Sequence, residues 1–297
     1  MNVPGRIAAL SFVALLATIA PAASAQGPAL WMVRSATAKV YLFGTMHALK
    51  AQTAWSTPAI DSALGESDDL YLEVADDLSD PAAIMPALTA LGMDAAHPLS
   101  TKISKADLDL LDARLKQAGL PGEAPFEAFR PWVAAVLIAA TSAQKAGYTQ
   151  KTGVEMTLRE RANAAGKPIK GMETVEQQLH ALSDLPLQDE VLLLHQSLAQ
   201  PVSDDDANAK TFDKMGAMWQ AGDVAGAAKI EQTLEAQDPA LATALVTKRN
   251  TAWAALLDKR LHATGTSFVA VGFLHLTGAG SVIDDLTKMG YTVERVE

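Results

Sequence analysis

Two short stretches carry the residues best suited to chemistry. VYLFGTMH ends at His47 and SFVAVGFLH ends at His275, each an apolar run closed by Gly, two further residues and His. Carboxylates stand nearby in similar settings: Glu73 inside DLYLEV, Glu173 at the end of PIKGME, and Glu155 in GVE. Two histidines and a carboxylate are a common donor set for a divalent metal, and catalytic zinc sites keep one position open for water. Manganese or iron would accept the same set. The chain has no cysteine, so any metal must be held by His, carboxylate and water. Glu73 is a charge within an apolar run, which is costly unless it is paired or bound. Arg249, in TKRN, is a rigid donor fork for a carboxylate or an oxyanion. Each residue also has a plain structural reading. A histidine can cap a helix or satisfy buried backbone, Glu73 can face water from an edge strand, and Glu173 can stabilise the start of the following helix. His97, His180, His195 and His262 read as ordinary packed, loop or helix-end residues.

Strand ends must bring these groups together. ALWMVRSATAKVYLF predicts strands at Leu30–Arg34 and Lys39–Phe43 around a short turn, the second nearly all apolar, as in a strand covered on both faces. Thr57 and Pro58 open a helix, and DLYLEV predicts a strand at Leu70–Val74. Strand, helix, strand over this interval predicts a βαβ unit with a parallel pair. Residues from about 80 to 165 read as helical, with Ser104 a cap, Gly119 and Gly166 stops, and the apolar RPWVAAVLIAATSAQKAG inside. PIKGME is extended. The helices TVEQQLHALSDL, LQDEVLLLHQSLAQ, TFDKMGAMWQAGDVAGAAKIEQTLEA and DPALATALVTKRNTAWAALLDKRLHATG follow, with PVSDDDANA a surface loop. The chain closes with strand SFVAV, a helix and strand YTVERV. The expected fold class is α/β: a mainly parallel central sheet with flanking helices and a long helical insertion. In an open parallel sheet ligands bind beyond the carboxyl ends of the strands. His47, Glu73, Glu173 and His275 all leave strands at that end, and Gly44 and Gly272 are expected to free the backbone for the turn.

The composition limits the function. Net charge is −10 with no basic cluster, which argues against a nucleic-acid partner. At its start, MNVPGR, the apolar IAALSFVALLATIA and the small-x-small PAASAQ have the layout of a cleavable secretory signal. Residues 1–25 are therefore expected to be removed near Ala25–Gln26, leaving a single exported domain, 26–297, periplasmic or secreted. No later segment is long and apolar enough for stable membrane insertion of the mature chain.

In their order, these residues resemble the TraB/GumN family, whose animal members include the Tiki proteases. The likeness runs from LWMVRSATAKVYLFGTMHAL through YLEV, RPW, GVEMTLRERANAAGKPIKGMETVEQQL and KRNTAWA to FVAVGFLHLTGAGSVIDDLTKMGYTVERV. It implies a fold related to erythromycin esterase and ChaN-like proteins. It also implies an active centre of His47, His275, Glu73 and Arg249 working with a divalent metal (Mn, Co or Zn). The implied metal ligands are His47, His275 and Glu73, with Glu173 a ligand or a partner that fixes an imidazole; Glu73 is ligand or general base, and Arg249 an oxyanion stabiliser. Phe273 and Leu274 replace the small residues of many bacterial relatives and are expected to crowd the turn and narrow the pocket. The favoured expectation is a metal-dependent, peptidase-like hydrolase acting on a peptide or small-molecule substrate. The rivals are a metal-free esterase-like hydrolase and a non-catalytic peptide- or haem-binding protein.

Overall fold

A computed structural model describes residues 27–78, 80–199 and 205–297; the expected signal and its cleavage point lie outside them. The strands are β1 (Leu30–Arg34), β2 (Ala38–Thr45), β3 (Leu49–Lys50), β4 (Asp69–Val74), β5 (Tyr148–Thr149), β6 (Ile169–Glu173), β7 (Gly265–Gly272) and β8 (Val293–Arg295). The helices are α1 (Pro58–Glu66), α2 (Pro81–Gly92), α3 (Lys105–Gln117), α4 (Pro131–Lys145), α5 (Val154–Ala164), α6 (Val175–Ser183), α7 (Leu187–Leu198), α8 (Asp205–Gln220), α9 (Val224–Gln237), α10 (Pro239–Ala242), α11 (Lys248–Leu261) and α12 (Val282–Lys288). Several starts follow from local chemistry: Thr57, Ser104 and Thr174 each accept a backbone N–H at the first turn of α1, α3 and α6.

The main sheet is mixed and mostly parallel, in the order β6-β4-β7-β2-β1-β8. β6, β4, β7 and β2 run parallel, and the β1 hairpin and β8 add antiparallel pairs at one edge. The βαβ reading needs correction. β2 and β4 share the sheet but do not pair, because β7 enters between them from the far end of the chain. Both of its neighbours are parallel to it, so strands distant in sequence become the centre of the sheet. Leu42 and Phe43 point to opposite faces, as successive strand residues must. One face packs Phe43, Leu70, Leu72 and Phe268 with Ile60 and Leu158; the other packs Val40, Leu42, Val269 and Val271 with Trp253, Leu257 and Leu286. Burial on both faces explains the unbroken apolar runs.

The insertion has its own core, in which Leu111, Leu115, Ile138, Leu194 and Leu198 of α3, α4 and α7 meet. α4 is less buried than expected: Pro131 to Ala135 and Ile138 are inside, but Val136 is 45% exposed. Two long helices of the sequence reading are each broken. Asp223 caps a new start at α9, and a π turn at Thr243–Thr247 separates α10 from α11. The two-residue strands β3 and β5, which pair with each other, were not legible locally. Among the described residues no helix is long and apolar enough to cross a membrane.

Candidate functional site

Register places the two Gly-x-x-His segments at one end of neighbouring strands. Thr45 of β2 lies beside Gly272 of β7, and Leu72 of β4 lies beside Ala270. Val74 in turn pairs with Glu173 of β6. His47, Glu73, Glu173 and His275 therefore leave four adjacent parallel strands at the same edge, and α11 lowers Arg249 among them.

Glu73 is the centre of the cluster. It is 5% exposed and saturated with donors. Its Oε1 accepts the Gly272 N–H at 2.7 Å, and its Oε2 accepts Arg249 Nη2 at 2.7 Å and Gln178 Nε2 at 3.0 Å. The nearby imidazoles and the Arg249 guanidinium overcome the penalty of burial and hold the carboxyl down at about 2. Glu173 clasps the same guanidinium through Nε and Nη2, the shortest contact being 2.6 Å. Burial outweighs that pairing and moves the Glu173 carboxyl upward. Arg249 also gives Nη1 to the Leu245 carbonyl at 3.0 Å and to His275 Nε2 at 3.2 Å. Leu245 belongs to the π turn, a local widening of a helix often found at functional sites. All five guanidinium N–H donors are thus committed. To reach an oxyanion Arg249 would have to release one of these partners.

The histidines have opposite surroundings. His275 is buried against Trp253, with ring centroids 4.6 Å apart, and its Nδ1 meets Asn250 Oδ1 at 2.7 Å. Asn250 is oriented by its amide N–H donating to the Gly280 carbonyl, so His275 carries its proton on Nδ1 and presents the Nε2 lone pair. Burial lowers its pKa to about 4. His47 is exposed over 59% of its side chain. Its Nδ1 meets Glu155 Oε1 at 2.7 Å, and Thr45 Oγ1 donates to the same oxygen. Glu155 first, then Glu73, raises the His47 pKa, a pull that water at the exposed ring screens in part. Both rings turn Nε2 toward Glu73 Oε1, at 3.8 Å from His47 and 3.9 Å from His275.

The glycines serve close approach rather than the turn. Gly272 has φ −48°, open to any residue, but a β-carbon there would lie 3.1 Å from Glu73 Oε1 and 3.5 Å from His47 Nε2. A β-carbon on Gly44 would meet Phe273 Cβ at 2.9 Å. Phe273 packs over Gly44 and onto the core, away from the cleft beside His47. Gly153 matters equally: a β-carbon there would lie 2.2 Å from the His47 carbonyl oxygen. That contact, with the Val154 N–H on the Met46 carbonyl, seats the start of α5 on the Gly-x-x-His turn and delivers Glu155.

The structure thus brings together His47, His275, Glu73, Glu173 and Arg249, as well as Glu155, a weaker candidate in the sequence. Thr45, Gln178 and Trp253 were missed. Trp253 lies under Arg249 at 4.7 Å, and its i+4 spacing from Arg249 was the available signal. His97, His180, His195 and His262 pair with Asp94, Asp184, Asp107 and the Asp258 carbonyl.

A model of the TraB/PrgY/gumN family matches residues 29–295. The chain belongs to this family. Two curated members are alike over 248 residues at 28% identity, covering 82% of this chain and 85% of theirs: the uncharacterized protein YbaP of Escherichia coli (strain K12) and of Shigella flexneri. No solved structure matches this TraB/PrgY/gumN chain.

Among the described residues no group of three or more His, Asp or Glu side chains stands ready to hold a metal. The donor chemistry nevertheless fits one. Each ring has its Nδ1 engaged by an oxygen acceptor, as metal-binding histidines do, which leaves Nε2 as the ligating atom; at His275 it would first have to give up the Arg249 Nη1 contact. Donors sharing one ion at ordinary bond lengths lie roughly 3.4 Å apart. The Nε2 to Oε1 distances of 3.8 and 3.9 Å need only a small inward shift. Glu73 and Glu173 pair with Arg249, and Glu155 pairs with His47.

Proposed function

We propose that this protein is an exported hydrolase of peptide-like substrates that uses a divalent metal (Mn, Co or Zn) held by His47, His275 and Glu73. The observation that carries this reading is the convergence of two Nε2 atoms on one oxygen of Glu73, with both Nδ1 atoms tied back. When bound, the metal would polarise a carbonyl and lower the pKa of water. Glu155 and Asn250 fix the two rings. Arg249 keeps Glu73 ionised and holds Glu173 in place, so Glu173 acts through Arg249 rather than as a ligand. His47, the exposed member, borders the cleft, and Glu155 at its Nδ1 aims Nε2 at the position the metal would take. Kinship with the erythromycin esterase and ChaN-like fold is part of the proposal, supported by the mostly parallel sheet.

One observation favours a metal-free hydrolase: Arg249 Nη1 already donates to His275 Nε2, which leaves His47 as the ring with an open nitrogen. Metal content per chain, measured before and after chelation and combined with assays on peptide and ester libraries, separates the two. Stoichiometric metal, with activity lost on chelation and restored on re-addition, is expected. Hydrolysis that persists without metal transfers the reading to the second mechanism. Absence of both metal binding and hydrolysis overturns both.

A further inference from the structure

A cleft of about 290 Å³ opens beside His47 and Glu73. Most of its wall surface is apolar, with Leu72 and Val74 from the end of β4, Leu78 from the segment after it, and Met156 from α5; Gln150 and Gln178 add amides at its border. The order of residues on α5 makes this recess part of the centre. Glu155 reaches His47, Met156 forms the adjoining wall, and Arg159, one turn on, pins the segment opposite. Arg159 donates to the carbonyls of Ala75 at 2.6 Å and Asp76 at 2.8 Å, and approaches that of Val74 at 3.4 Å. The wall is therefore held in place before anything binds, and its apolar side chains stay directed at the recess. Among the described residues, Leu78 is left 36% exposed and Met156 half-buried.

Resting on the hydrolase reading above, we propose that this cleft is the specificity pocket, taking a large apolar or aromatic side chain of the residue beside the scissile bond. Size supports this: the volume lies at the lower end of small-ligand sites, suited to one side chain rather than a folded partner. Charge disfavours an acidic occupant. Glu73, Glu155 and Asp76 border the recess, so an acidic side chain would enter against three carboxylates, and both Nη atoms of Arg159 are turned to carbonyls. Met156 can adapt to rings and branched chains alike, as an unbranched thioether does.

The test uses the mature chain and peptides identical except for Gly, Asp, Leu or Phe at the residue flanking the cleaved bond. Leu and Phe are expected to exceed Gly and Asp in kcat/KM by roughly tenfold or more, the usual scale for filling an apolar pocket. Met156→Trp, which fills the recess, should bring the Phe-to-Gly ratio close to one. Leu78→Asp should lower the same ratio. Melting curves establish that each variant is folded. A second arm needs no chemistry: calorimetric binding of N-acetyl-phenylalaninamide against its aspartate counterpart, in the wild type and in Met156→Trp. Binding of the phenylalanine compound that Met156→Trp abolishes, without hydrolysis of any peptide, keeps the pocket and rejects the hydrolase. Hydrolysis with equal rates for Phe and Gly, or a preference unmoved by both substitutions, rejects the pocket and keeps the hydrolase.

Discussion

The two Gly-x-x-His segments end in the same residue type, leave adjacent parallel strands at one edge, and face one carboxylate, yet their histidines differ in almost every other respect. His47 is mostly exposed and leans on a carboxylate, Glu155, which favours its charged form. His275 is 7% exposed and leans on a neutral amide, Asn250, in a niche closed by Trp253, which favours its neutral form. A shared sequence pattern thus specifies where a side chain emerges; the partner at Nδ1 and the access of water decide what it does. Environments that push two titratable groups apart are how one site obtains a proton donor and a lone-pair donor from the same residue type.

The largest effect expected is at the carboxylate the two rings share. Glu73→Ala should remove divalent-metal affinity and lower hydrolysis by roughly a thousandfold, given the several kcal/mol such centres supply. Metal titration and kinetics on one preparation check both; unchanged metal affinity would mean the rings do not act as a pair.

Arg249→Ala should cost about 3–5 kcal/mol of stability, because it strands Glu73 and Glu173 as buried, unpaired charges. Arg249→Lys should recover little, since an ammonium cannot span two carboxylates and a ring nitrogen as the fork does. Denaturant unfolding reads out both.

The pH response should split the histidines most directly. In chelated protein, His275 has a folded pKa of about 4, below its ordinary 6.5, so its contribution is complete above about pH 6.5 and is lost as pH falls toward 4. Glu73, held at about 2, adds a further loss as pH falls from 4.5 through 2. The raised pKa of His47 works the other way: its contribution is present below pH 6.5 and is lost as pH rises through its folded value. Imidazole NMR titration should show His275 as the neutral Nδ1–H tautomer at pH 6 and His47 still protonated. Two titrations near 6.5 would erase the distinction.

Gly272→Ala should cost about 1–3 kcal/mol, since its β-carbon presses on Glu73 Oε1, the oxygen both rings face. Gly153→Ala should cost at least as much, because the obstacle there is the His47 carbonyl, which cannot swing away. Thermal melts that rank Gly153→Ala as the milder change would contradict the seating of α5 on this turn.

The smallest stability effects belong to the exposed ring. His47→Ala should change stability by less than about 1 kcal/mol, as exposed ion pairs do. His275→Ala should cost about 1–3 kcal/mol by leaving Asn250 Oδ1 without its donor. Equal costs in unfolding experiments would show that the two surroundings do not differ as described.

The sequence by itself determined the elements and the exits. Apolar runs too continuous for a half-exposed strand marked β2, β4 and β7, capping residues marked the helix starts, and the ordered residues around His47, Glu73, Arg249 and His275 marked the family. These are local signals, each written within a few residues. Tertiary structure alone decided that β7 separates β2 from β4, because strand order depends on which faces and edges pair across the whole chain, and the identity of those neighbours lies outside any local window. It also decided the role of the glycines, which depends on what approaches them from elsewhere, and the rank of Glu155 over Glu173 as a partner of His47, since α5 is seated by the Gly153 contact. Above all it decided the difference between the two histidines. The spacing Gly-x-x-His is identical in both, whereas Asn250, Trp253 and Glu155 come from other parts of the chain, and a proton's affinity for a ring nitrogen is set by the charges and the water around it.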